Sequence, residues 1–144
     1  MLIGTRKAIA RIWQTQISIV LCPLDITNNV PLTVEFSNLL ARQRKYPISD
    51  LAGQCYALAI SQDYYFWDIL ATAYLAHPEF YLLREWETAI VTEGVSQGRT
   101  KVQAGGRKIQ AMDRVDTEKF YNYILQQCVE NNPKTTKHRE PQLL

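Results

Sequence analysis

One nearly continuous β-rich apolar run, Ile17–Ser18–Ile19–Val20–Leu21–Cys22–Pro23–Leu24, constrains this chain more than any other feature. A strand with one wet face alternates apolar and polar residues. A run without alternation suits a strand covered on both faces, as in a parallel sheet between helices. Pro23 sits near its end, where a missing ladder donor is tolerable. Only one such run is visible. A doubly wound sheet needs several βαβ units, so the pattern predicts part of an α/β sandwich: one core strand, several helices and a small β-region.

The remaining elements follow from local signals. Ile9 to Gln14 is predicted as a short helix, and Thr27–Asn28–Asn29 as a turn. Pro31 to Arg44 carries Leu32, Phe36, Leu39 and Leu40 at helical spacing, with Thr33 as the candidate cap, and Tyr46–Pro47 breaks that helix. A second helix is expected from Ser49, as its cap, through Leu51, Ala52, Cys55, Leu58, Ala59 and Ile60, ending at Gln62–Asp63. A third starts at or just after Asp68 and stops before His77–Pro78. Trp86 to Thr92 alternates β-formers with polar residues. Gly98 to Ala104 and Lys108 to Met112 read as two further strands joined through Gly105–Gly106. Asp116 is a natural N-cap for a last helix reaching Val129, with Phe120, Tyr123, Ile124 and Leu125 as its apolar face. These elements place one domain in residues 1–129. Residues 130–144 are polar, contain Pro133 and Pro141, and are expected to be a disordered tail.

The chain has 144 residues and is 47% hydrophobic, enough for one domain with its own core. A formal charge of +2 argues against a dedicated nucleic-acid binder, and Arg99, Lys101, Arg107 and Lys108 read as a solvated strand face. No apolar run approaches a membrane span. Arg6, Lys7 and Arg11 ahead of Ile17–Cys22 imitate a signal peptide ending in a lipobox. However, Gln14–Thr15–Gln16 interrupts the run and no small residue precedes Cys22. Cys22, Cys55 and Cys128 are odd in number and match no zinc or redox spacing, so they read as buried or partly buried thiols in a reducing, cytoplasmic compartment.

Chemistry concentrates in Asp63–Tyr64–Tyr65–Phe66–Trp67–Asp68–Ile69–Leu70–Ala71–Thr72–Ala73–Tyr74–Leu75. Asp68 stands behind four aromatic residues and before an apolar helical run. A carboxylate there can be a helix cap or part of a site. The other polar residues take structural readings: His77 as a partner for terminal carbonyls, Asp25 as a turn holder through local hydrogen bonds, Asp113 and Asp116 as turn and cap residues.

Three segments in this order carry a resemblance: Cys22–Pro23–Leu24–Asp25–Ile26–Thr27–Asn28–Asn29–Val30–Pro31–Leu32–Thr33, then Trp67–Asp68 opening a helix, then Val91–Thr92–Glu93–Gly94–Val95–Ser96–Gln97–Gly98–Arg99–Thr100. Over roughly Ile9 to Gln127 the chain resembles the C-terminal portion of the inosine/uridine-preferring nucleoside hydrolases. That family shows a strand ending in P-L-D-V-T-N, an H-D or W-D motif and a β-hairpin region. The resemblance implies a Rossmann-like α/β fold and hydrolysis of ribonucleosides to base and ribose, as in purine or pyrimidine salvage, with a Ca²⁺ ion in the site. It makes Asp68 a Ca²⁺ ligand. Trp67 stands where well-known members carry the His presumed to be the acid. An indole N–H is no useful proton source near neutral pH, so Trp67 is either a base contact or a core aromatic. Tyr64 and Tyr65 read as packing residues, and Glu93 and Gly94 as structural ones. The family's D-x-D-x-x-x-D-D and N-P-E-x-N type segments are absent from the sequence. The expectation is therefore a fragment with little or no activity alone, completed by an N-terminal half or self-associating. The alternative is a non-enzymatic interaction or structural domain, or one half of a split enzyme.

Overall fold

The computed structural model describes residues 5–59 and 63–130. Helix α1, Thr5–Trp13, leads to strand β1, Val20–Leu21, and the short helix α2, Leu24–Thr27. Helices α3, Val34–Arg42, α4, Pro47–Ala59, and α5, Trp67–Ala76, follow. A 3-10 turn at Pro78–Phe80 opens strand β2, Tyr81–Ile90, and then come β3, Thr100–Val102, β4, Arg107–Val115, and α6, Thr117–Glu130. The expected tail, including His138, lies outside the described residues, as does the predicted helix end at Gln62.

Local chemistry explains the helix boundaries. The Thr33 hydroxyl accepts from the Phe36 N–H at 3.1 Å, capping α3 as its sequence predicts. The Asp116 carboxylate accepts from the Lys119 N–H at 3.1 Å and caps α6 in the same way. Pro47 opens α4, where its missing N–H costs nothing. Ser49 departs from the prediction: it lies inside α4 rather than at its cap. Its fully buried hydroxyl sits 3.2 Å from both the Gln43 Oε1 and the Cys128 carbonyl, tying α4 to the end of α6. His77 differs in part: its backbone N–H donates to the Ala73 carbonyl at the end of α5 at 2.9 Å, but its ring stacks on Phe80 at 4.7 Å and its Nδ1 meets the Glu79 carboxylate at 2.8 Å.

The predicted β-region and core strand join in one four-stranded sheet, ordered β1-β4-β2-β3. β1 runs parallel to β4, while β2 runs antiparallel to both β3 and β4. The strands on either side of Gly105–Gly106 are therefore not partners. Both pair with β2, and the link passes across it. A Cβ on Gly106 would lie 2.6 Å from the Thr88 carbonyl oxygen, so only glycine fits that crossing. Gly105 completes the turn at φ 72°. The long apolar run also contracts: only Val20–Leu21 forms strand, because β4 is its single neighbour and Pro23 already starts the α2 turn, its carbonyl accepting from the Ile26 and Thr27 N–H groups. Arg107 is no solvated strand residue, since its guanidinium donates to the carbonyls of Ile12 and Ile17 and fastens the chain before β1 to β4. Asp113 lies within β4 rather than in a turn, paired with Arg84 at 3.1 Å.

The core gathers where the helices meet one face of the sheet. Phe36 and Leu40 of α3, Leu70 and Ala73 of α5, Phe120 and Leu125 of α6, Phe66, Tyr81 and Met112 are buried together. Phe66 is the hub: its ring centroid lies 5.2 Å from Phe36, 5.4 Å from Tyr56, 5.6 Å from Phe120 and 5.8 Å from Tyr121. Each fully buried aromatic contributes roughly 1.5–3 kcal/mol by area, and its edge-to-face contacts add to that.

Candidate functional site

Two segments far apart in sequence build the rim that holds Trp67 and Asp68. The Leu32 N–H donates to the Tyr64 carbonyl at 2.8 Å and the Phe66 N–H to the Val30 carbonyl at 3.1 Å, with a β-bridge between Pro31 and Tyr65. The Tyr121 hydroxyl donates to the Pro31 carbonyl and locks the same strip to α6. Burying Phe66 then fixes the phase of α5. Phe66, Leu70 and Ala73 face the core at helical spacing, so Trp67 and Asp68 face outward.

Trp67 is no core aromatic. It is 39% exposed, and its ring lies 5.3 Å from Tyr64 and 5.7 Å from Tyr65. Its indole N–H donates to the Asn28 Oδ1 at 3.3 Å, which sets the orientation of the ring and occupies its one polar hydrogen. Asn28 was readable from sequence only as a turn residue, because its partner lies 39 positions away.

Asp68 does not cap the helix. Phe66 holds the N-cap position, and Asp68 falls in the first turn, a favourable place for an acidic side chain beside unpaired backbone N–H groups. Its backbone carbonyl accepts from the Thr72 hydroxyl at 2.8 Å. Its carboxylate is exposed and has no side-chain or backbone partner among the described residues. Asp25 is exposed too, and its carboxylate does not hold the turn. That is done by Asn29, whose side-chain amide donates to the Asp25 carbonyl at 2.7 Å, and by Thr27, whose buried hydroxyl donates to the Leu24 carbonyl at 3.4 Å. Glu93 and Gly94 lie apart, in the turn after β2, where Gly94 has φ 78°.

The rim therefore offers an aromatic surface of mutually inclined rings, an anchored indole and one free carboxylate. Solved structures with the same arrangement of elements supply a context. The inosine-uridine preferring nucleoside hydrolase from Bacillus anthracis matches at 35% identity with a TM-score of 0.79, over 85% of this chain and 40% of that one. This chain is nucleoside-hydrolase-like. The fold recurs at lower identity. A purine-preferring ribonucleoside hydrolase from Gardnerella vaginalis matches at 16% identity and TM-score 0.66, over 83% of this chain and 42% of that one. An inosine-guanosine nucleoside hydrolase matches at 21% identity and TM-score 0.67, over 84% of this chain and 42% of that one. Neither a protein-family model nor a curated protein matches. The nucleoside-hydrolase-like chain thus spans less than half the length of these structures.

Among the described residues no group of three or more His, Cys, Asp or Glu side chains could hold a metal ion. Calcium takes six to eight oxygen ligands, several of them charged. The free carboxylate of Asp68 suits one position of such a shell, but the described residues do not make a calcium site by themselves. No described helix is long and apolar enough to cross a membrane.

Proposed function

We propose that this chain forms one side of a ribonucleoside-hydrolysing site. Water would add to the anomeric carbon, the N-glycosidic bond would break, and the base would leave with the bonding electrons and take up a proton. Asp68 would be one oxygen donor to a Ca²⁺ ion whose other ligands come from outside the described residues. Trp67, held by Asn28, would lie against the base. It would not deliver the proton: its N–H is committed and far too weak an acid, so leaving-group protonation must come from elsewhere in the completed site. The three free cysteines, Cys22 and Cys128 partly buried as expected and Cys55 exposed against expectation, fit a reducing, cytoplasmic setting.

The observation that carries this reading is the exposed, unpartnered Asp68 carboxylate on an aromatic rim, in a chain 35% identical to a named nucleoside hydrolase. The test is a chimera in which this chain replaces the matched portion of the Bacillus anthracis hydrolase. The chimera should bind Ca²⁺ and release ribose from inosine or uridine, while the 144-residue chain alone should do so poorly or not at all. Asp68→Asn in the chimera should lose Ca²⁺ affinity and turnover with its circular dichroism unchanged. Parent-like Ca²⁺ binding and turnover in that variant would remove Asp68 from the site.

A further inference from the structure

Asn28 holds Trp67 through one of its two amide atoms, and chemistry fixes which one. An indole N–H can donate but never accept, so the atom of Asn28 that meets it at 3.3 Å is the oxygen, Oδ1. The amide is planar, and its carbonyl and its NH2 group diverge from Cγ. Nδ2 is therefore turned away from the indole nitrogen. Asn28 is exposed, and its two Nδ2 hydrogens have no partner among the described residues. The residue itself is firmly placed. Its backbone N–H donates to the Leu24 carbonyl at 2.9 Å at the end of α2. It follows buried Thr27, and the carbonyl of fully buried Val30 accepts from the Phe66 N–H, next to Trp67. Backbone on both sides thus fixes Asn28 beside the indole ring.

We infer that Asn28 is a specificity-determining residue whose Nδ2 donates a hydrogen bond to a carbonyl oxygen on the edge of the substrate's base. This deepens the ribonucleoside-hydrolysing reading and rests on it. Trp67 offers the base only its face, because its N–H is taken, and every base has a face to stack. A preference among bases therefore needs an edge contact. Around the indole, the Asp68 carboxylate can only accept, and the hydroxyls of Tyr64 and Tyr65 donate or accept as a partner demands. With its oxygen committed, the Asn28 amide is a donor alone. It favours a base with an oxygen at that edge. It disfavours one with an amino group there, since two donors facing each other leave both unsatisfied.

The test is Asn28→Asp in the chimera with the Bacillus anthracis hydrolase. A carboxylate oxygen still accepts from the indole N–H, but the donor pair is gone. Two substrates are compared at saturating Ca²⁺: inosine, whose base carries a carbonyl oxygen, and purine riboside, whose base lacks it. The ratio of kcat/KM for inosine to that for purine riboside should fall about tenfold. In the isotope-labelled full chain, the Trp67 indole N–H resonance, assigned with Trp67→Phe, should keep its hydrogen-bonded shift. Asn28→Ala, which releases the ring, should move that resonance and lower kcat/KM for both substrates. An unchanged ratio in Asn28→Asp would overturn the proposal and reduce Asn28 to a prop for the indole, with the hydrolytic reading untouched. A fall accompanied by an indole shift like that of Asn28→Ala would overturn it too, because the loss would then come through Trp67. A chimera that binds both nucleosides by calorimetry but releases no ribose would remove the hydrolytic reading. The ratio of dissociation constants would then decide in its place, a tenfold change supporting the edge contact and no change overturning it. A chimera that binds neither nucleoside would overturn both.

Discussion

The aromatic core and the β1 margin are made of similar residues and behave oppositely. Around Phe66, rings from α3, α4 and α6 converge until Phe36 is 2% exposed and Phe66 and Phe120 are fully buried. At the margin, Ile17, Val20 and Leu24 are equally apolar, yet they stay open because no described element packs over them. The difference is one of partners. Core residues find theirs within the described chain, across helices up to about 90 residues apart, as in the Tyr121 hydroxyl bond to Pro31. Margin residues have a partner on one side only. The described residues thus build an aromatic core of their own and leave an apolar border that their elements do not cover.

The largest effect should come from the hub. Phe66→Ala removes a ring that four others touch, and should cost about 3–5 kcal/mol, enough to unfold a marginal domain. Val20→Ala, on the open margin, should change stability by less than about 0.5 kcal/mol. Urea denaturation of the two variants measures the contrast directly; comparable losses would break it.

Alkaline pH attacks the same core. Burial pushes the Tyr56 hydroxyl up to about 12, and raises Tyr81, Tyr121 and the thiols of Cys22 and Cys128. In the unfolded chain a tyrosine titrates near about 10. The fold favours the neutral phenol, so this stabilisation is complete below that pH and is lost as pH climbs from about 10 to about 12. Melting temperature followed by circular dichroism should be level between about pH 7 and 8.5 and fall steeply above about 10. A level profile to pH 12 would mean that these phenols are better solvated than their surroundings imply.

Gly106→Ala probes the joint between the two regions, where the chain crosses β2. Its Cβ would press on the Thr88 backbone at 2.6 Å, which cannot yield as a side chain would. Thr88 is itself fixed, with its hydroxyl accepting from the Trp13 indole and donating to the Arg107 carbonyl. The expected loss is about 1–3 kcal/mol, read by urea denaturation; an unchanged midpoint would show that the crossing is looser than drawn.

What the sequence disclosed follows the same division. Thr33, Pro47 and Asp116 announce helix boundaries because a cap acts over three or four residues and needs no tertiary context. The relation between strands was not legible. Gly105–Gly106 has the composition of a hairpin turn, but pairing is decided by β2, whose first half, Tyr81–Glu85, gives no alternating signal. Ser49 looked like a cap because its partner at Cys128 lies 79 positions on. The apolar run around Val20 overstated the strand because sequence reports the demand for neighbours and not their presence. At the candidate site, Trp67 and Asp68 stood out through their aromatic setting and resemblance, whereas Asn28 became visible only once the fold brought it to the indole.

The smallest effects separate structural from functional polar groups. Thr33 and Asp68 both sit at helix starts, and from sequence both qualified as caps. In the fold only Thr33 makes the bond, so Thr33→Ala should cost about 1 kcal/mol. The Asp68 carboxylate bonds nothing among the described residues, and Asp68→Asn should leave stability within about 0.5 kcal/mol of the parent. Chemical denaturation of the isolated chain, without added metal, resolves the two. A loss at Asp68 as large as that at Thr33 would give this carboxylate a structural task after all. A null result leaves it as a charged group on an aromatic rim whose structural contribution is no more than its favourable place in the first helical turn.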